Sequence, residues 1–260
     1  MSSNDVMGLI STIALSVPVF CILFSKLGRY RTFPALLIYY ASALIYNCFT
    51  QNYIPVSPVL EKNWGLVNNL TDIPLMIYFM SYFSTTRRFA NQLRYLIYLF
   101  VAFELCVLII CGFTVNTTTI VLGPGLVIIL SLSIHFFIRQ VKMAVIHRKA
   151  TGKALIVTSV LFMYGCFSFI YLMYYVFKAQ LDASGKVKQQ VLDDTFLIFF
   201  LVTIFSAMMM GLGILIERRR VQKLNELKVT RRELSAIYSD TRKAAPLRTA
   251  MLDFDKDQWN

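Results

Sequence analysis

The sequence predicts an all-α integral membrane protein: a bundle of seven transmembrane helices with its amino end outside and its carboxyl end in the cytoplasm. Three observations carry that prediction. Of 260 residues, 57% are hydrophobic and 15% charged, whereas soluble domains run about 45–50% apolar and about 25% charged. Seven continuous apolar runs each approach the roughly 20 residues that a helix needs to cross a bilayer. The basic residues between the runs alternate steeply in number from loop to loop.

The runs are 6–25, 34–52, 65–84, 95–113, 118–138, 154–177 and 195–216. Helix is the expected form, because a lipid-exposed backbone must satisfy its own hydrogen bonds. A β-barrel would show short alternating segments instead. The first run lacks a basic leader and a small-residue cleavage site, so it is expected to be a bundle helix rather than a signal peptide. Residues 1–216 then form the membrane domain. Residues 217–260 form a basic amphipathic cytoplasmic helix followed by a flexible tail.

Orientation follows from Lys and Arg. Every one of the 26 lies outside the seven runs. Alternate segments hold 22 on the side of the carboxyl tail and 4 on the side of the amino end, which puts the tail in the cytoplasm. The net charge of +12 is then a topology signal, and no nucleic-acid partner is needed to explain it. The expected setting is a cell membrane, with the lipid bilayer as first partner.

Ionisable groups inside spans mark candidate sites, because they tend to face a bundle interior. Asp72 lies about 10 Å down the third helix from its outer end, with Asn68 one turn earlier and Pro74 two residues later. A polar site opening outward, with Tyr164 or Tyr171 of the sixth helix as opposing groups, is one reading. A structural hydrogen-bond knot is the other. Glu104 sits mid-helix in LFVAFELCVLII, either as a proton carrier or as a hydrogen-bond donor to a neighbour. His135 is expected to pack at the interface. Gly123-Pro124-Gly125 either unwinds the fifth helix or opens its first turn. The five cysteines all fall in spans with no CxxC or Cys/His cluster, so no metal or other cofactor is expected.

Known seven-helix chemistries leave no trace. Opsins hold retinal on a lysine of the seventh helix, and 195–216 contains none. The acidic-Arg-aromatic and NPxxY motifs of the commonest receptors are absent, as are the PQ motif of SWEET-like transporters and protease or lipid-transferase motifs. No enzymatic activity is expected.

Residues 217–240 continue from the seventh helix without Gly or Pro, and 217–232 carries seven basic residues against two acidic. Arg218, Arg219, Arg220, Lys223, Leu224 and Leu227 are candidate contacts to the membrane surface, to a partner protein or to a second copy through 217–240. The sequence therefore favours a seven-helix sensor or signalling-type protein with a polar outer cavity and a coupling tail. A small-solute or proton-coupled transporter and a structural subunit of a membrane complex are the alternatives.

Overall fold

The computed structural model describes residues 3–25, 27–30, 32–84, 86–147, 151–181 and 188–239, without the side chains of 3–5, of 29, of 173–196 and of part of 224–239. The described chain is almost entirely helical. Its seven α-helices are α1 (Ser3–Phe24), α2 (Phe33–Thr50), α3 (Pro58–Met80), α4 (Arg87–Cys111), α5 (Val115–His147), α6 (Thr151–Leu181) and α7 (Lys188–Ser239). Six are long and apolar enough to cross a membrane; α3 is long enough at 23 residues but less apolar. Glu61, Lys62, Asn63, Asn68, Asn69 and Asp72 lower its hydropathy. The chain is a multi-pass membrane protein by this helix inventory and by its lipid-like exterior. Ile13, Phe24, Leu99, Ile109, Ile110 and Phe205 are all more than half exposed, a pattern that water would penalise.

Each helix starts or stops for a local reason. Ser57 caps α3 by accepting from the Leu60 amide, with Pro58 in the first turn, where its missing N–H costs nothing. Thr86 caps α4 by accepting from the Phe89 amide at 3.4 Å. Gly112 ends α4 at φ 69°, a left-handed conformation that favours glycine. α7 runs 52 residues without a break, about 78 Å of helix. It therefore passes straight through the boundary between membrane domain and tail that the charge pattern suggests at 216.

Helix neighbours define a closed ring. α1 packs on α2, α2 on α3, α3 on α5, α5 on α6, α6 on α7, and α7 back on α1. α4 stands outside the ring in the seam between α3 and α5. α2 and α3 are antiparallel: Thr32 Oγ1 donates to the Phe79 carbonyl at 3.3 Å, and Trp64 Nε1 to the Ser42 carbonyl at 3.3 Å. An aromatic floor closes the end of the bundle where the basic residues gather. There Phe33 stacks edge-on against Phe79 and Tyr82, and Phe83 against Phe79. All four are buried, at 4% exposure or less.

Glycines set the closest approaches, as expected where small residues replace hydrophobic drive between helices. Gly211 faces Val17 of α1, and Gly213 faces Ile156 and the Gly152 carbonyl of α6. A Cβ on Gly213 would lie 2.7 Å from Ile156 Cγ1 and 3.0 Å from its backbone nitrogen. Gly213→Leu should therefore cost about 2–3 kcal/mol through overpacking, read as a lowered melting temperature in detergent. Gly165→Ala is the control. Its added methyl would meet only Leu130 Cδ1, at 3.9 Å, so it should not lower the melting temperature, and the better helix propensity of alanine should raise it slightly.

One local expectation changes. Gly123-Pro124-Gly125 neither unwinds the helix nor opens its first turn, because α5 starts at Val115 and runs through it. Its glycines instead admit neighbours: Gly123 faces the Tyr171 hydroxyl, and Gly125 faces Ile73 and Phe100. His135 is exposed and lies against Phe89 and Phe136, with ring centroids 5.6 and 5.4 Å away. The last stretch, 240–260, and the side chain of Leu224 lie outside the described residues.

Candidate functional site: two polar clusters joined by α3 and α7

The inside of the ring holds a polar cluster built from four helices. α3 supplies Asp72, α2 supplies Tyr39 and Tyr40, α6 supplies Ser159, Met163 and Tyr164, and α7 supplies Ser206. Tyr164, with no exposed surface, donates its hydroxyl to Asp72 Oδ1 in a short hydrogen bond. Two helices that share no ring edge are thereby tied across the interior. The Tyr39 hydroxyl donates to Met163 Sδ at 3.5 Å, from α2 to α6. Ser159 donates to the Ser206 carbonyl at 2.7 Å, from α6 to α7. Tyr40 is 1% exposed, with its hydroxyl beside Ser159 of α6 and within electrostatic reach of the Asp72 carboxyl.

The helix around Asp72 offers it no donor among the described residues. Pro74 has no N–H, so the Leu70 carbonyl loses its i−4 donor. Thr71 Oγ1 donates back to the Val67 carbonyl at 2.9 Å and the Asn68 carbonyl at 3.3 Å. The donor that Asp72 needs comes from α6, through Tyr164. Asn68 is half-buried, and its side chain makes no hydrogen bond to Asp72 among the described residues.

The other candidates fall elsewhere. Tyr171 donates to the Thr119 carbonyl of α5 at 3.0 Å and not to Asp72. Glu104 is 7% exposed and belongs to α4, outside the ring. Phe100, one turn earlier on the same face, packs with Ile73 around Gly125, which places Glu104 in the α3–α4–α5 seam. Its Oε1 has no partner, and no hydrogen bond or ion pair joins it to Asp72 among the described residues. The two carboxyls therefore occupy separate compartments.

A second cluster lies at the basic end of the bundle and was not legible from charge counting. Glu217, nominally the first residue of the tail, is 1% exposed. Tyr82, in the 3-10 turn that follows α3, donates its hydroxyl to Glu217 Oε1 at 2.6 Å. Arg220 Nη1 reaches the same oxygen at 3.4 Å, and Lys153 Nζ stands 4.4 Å from the centroid of the Tyr82 ring. Gly152 makes room for this arrangement, since a Cβ there would lie 2.7 Å from the Glu217 nitrogen. The tail candidates thus divide. Arg220 is held in the cluster, whereas Arg219, Lys223 and Leu227 are exposed.

Among the described residues no three His, Cys, Asp or Glu side chains gather as metal ligands. The arrangement is suited to hydrogen-bond exchange: a carboxyl held by a tyrosine in the core, and a carboxylate held by a tyrosine at the base. Compared with known proteins, the chain matches no family model, no curated protein and no solved structure.

Proposed function

We propose that the protein is a seven-helix membrane sensor of the signalling type, with the amino end outside and α7 carrying the signal into the cytoplasm. One observation supports it above the rest: α3 and the 3-10 turn that continues it carry a member of each polar cluster. Asp72 bonds α6 in the core, and Tyr82, ten residues on, bonds Glu217 at the base of α7. Ten helical residues span about 15 Å, so a shift of α3 in the core reaches the point where α7 leaves the membrane. On this reading a small polar solute or cation competes with Tyr164 for Asp72. Freed from Asp72, α6 and α3 move apart, and α7 answers through Glu217. α3 counts as the seventh span because it packs between α2 and α5 in the ring, and because only an odd number of spans preserves the 22-to-4 division of basic residues. The protein is not an enzyme on this account.

A transporter draws its support from Glu104, a buried carboxyl with an open oxygen. Against it, no polar path connects Glu104 to Asp72 among the described residues. Proteoliposomes loaded with a pH-sensitive dye separate the two readings. A sensor gives proton and solute flux no greater than empty vesicles. Flux abolished by Asp72→Asn or Glu104→Gln would overturn it in favour of transport. Cysteine labelling in intact cells checks orientation: a cysteine placed at Lys223 should react with an impermeant reagent only after permeabilisation.

A further inference from the structure

We propose that the basic end of α7 carries a binding site for the phosphate headgroup of an anionic phospholipid, held by Arg218 and Arg219 with its acyl chains lying along the helix below. A cavity of about 230 Å³ opens there, lined by Leu215, Arg218, Arg219 and Gln222. These residues are one face of the helix, at i, i+3, i+4 and i+7.

Charge and solvation point to an anion. Arg218 Nε is enclosed and has no hydrogen-bond partner. Neither Arg218 nor Arg219 makes an ion pair with a described residue. The adjacent acid, Glu217, gives one oxygen to Tyr82 and Arg220, and its other oxygen, enclosed and without a hydrogen-bond partner among the described residues, makes no ion pair with Arg218. Glu226, seven residues beyond Arg219, lies about 10 Å further along the axis. A guanidinium fork donates to phosphate oxygens in pairs, and Gln222 adds an amide donor. Two adjacent arginines and one amide form a receptor for a phosphate oxyanion.

The face below identifies the lipid as the source of that phosphate. Phe205, Met208, Leu212 and Leu215 are all exposed and step along α7 by three and four residues, in line with the cavity. The stripe is apolar for its whole length and then turns cationic at Arg218. A phospholipid has the same order, chains first and phosphate above. Free phosphate would use only the upper part. A second copy of the chain would also fit an apolar stripe of this spacing, since it has the period of a coiled-coil seam. Parallel twofold pairing, however, would set Arg218 and Arg219 against their own copies, with like charges opposed. An anionic headgroup relieves that charge. Basic pockets beside transmembrane helices at the inner leaflet are suited to such headgroups. Nanodiscs expose both leaflets, so the assay below depends on neither the orientation nor the sensor reading.

The test uses the full chain in nanodiscs of mixed phosphatidylglycerol and phosphatidylcholine, released into the mass spectrometer with bound lipid intact. Phosphatidylglycerol should be retained at least tenfold over phosphatidylcholine. R218Q/R219Q should abolish the preference, R219Q alone should weaken it, and K142Q, which removes an exposed charge from α5, should leave it intact. Unchanged melting of R219Q shows that the loss is not unfolding. Equal retention of the two lipids, or a preference that survives R218Q/R219Q, overturns the proposal. So does release of the lipid by millimolar inorganic phosphate, which would make the site one for free phosphate. High-yield disulfide linking of L212C chains in the same discs would give the stripe to a second copy and overturn it as well.

Discussion

Replacing Glu217 with Ala should lower the stability of the folded protein by about 2–3 kcal/mol, because a buried hydrogen bond to a charged acceptor contributes about 1.5–3 kcal/mol. The substitution removes the one acceptor that the Tyr82 hydroxyl has among the described residues, and Tyr82 is 4% exposed. It also strips Arg220 of its carboxylate, although Arg220 is 38% exposed and recovers much of that loss in water. The orphaned tyrosine therefore dominates over the broken ion pair. Glu217→Gln keeps an acceptor for Tyr82 and should cost about 1 kcal/mol. Thermal melting of the detergent-solubilised protein reads both. A Glu217→Ala variant as stable as the parent would show that water already reaches the Tyr82–Glu217 contact.

The second large effect concerns Asp72, where volume and polarity can be separated. Asp72→Leu keeps bulk but leaves the fully buried Tyr164 hydroxyl without its acceptor. Interhelical hydrogen bonds in membranes average about 0.6 kcal/mol and reach about 1.7, and an orphaned buried donor adds about 1–3 kcal/mol. A loss of about 2 kcal/mol of folding stability is expected. The cost of inserting a carboxylate, about 3 kcal/mol on insertion scales, does not reverse this, because the separated helices already bear it in the membrane. Asp72→Asn still accepts from Tyr164, so its melting should stay within about 1 kcal/mol of the parent. Its response to whatever solute competes for the carboxylate should nonetheless be lost. A stable Asp72→Leu protein would reduce the cluster to ordinary packing.

Six of the spans were legible because continuous apolar runs are strong signals; α3, which the sequence counts as a seventh, is less apolar than the rest. The span ends were less legible. α4 begins at Arg87 rather than 95, and α3 at Pro58 rather than 65, because hydropathy reports where lipid is and not where a helix starts. Ser57-Pro58 and Thr86 are capping signals that the sequence displays openly. Asp72 stood out as an ionisable group within a span. Its partner was narrowed to Tyr164 or Tyr171, which share a helix face and differ by seven residues, about 10 Å of depth. Depth was what sequence could not fix. The structure resolves it by placing Tyr164 opposite Asp72 and Tyr171 against Thr119. Tyr39, Tyr40, Ser159 and Ser206 were missed, since a neutral hydroxyl in a span is common and carries no charge to notice. Glu217 was missed for the opposite reason: beside three arginines it resembled one charge in a solvated run. The signal that existed was Gly152 and Gly213, whose bare backbones allow α6 to approach α7 at that level.

The central claim is that the core cluster and the base of α7 move as one unit. Amide hydrogen exchange of the full chain in nanodiscs tests it most directly, comparing the parent with Tyr164→Phe. That substitution deletes only the hydroxyl that ties α6 to Asp72, more than 50 residues in sequence from Glu217. Coupling through α3 predicts faster exchange both beside Asp72 and in the 217–239 segment of α7, where the helix leaves the bundle. Faster exchange confined to α2, α3 and α6, with 217–239 unchanged, would contradict the account and leave the two clusters as independent structural knots.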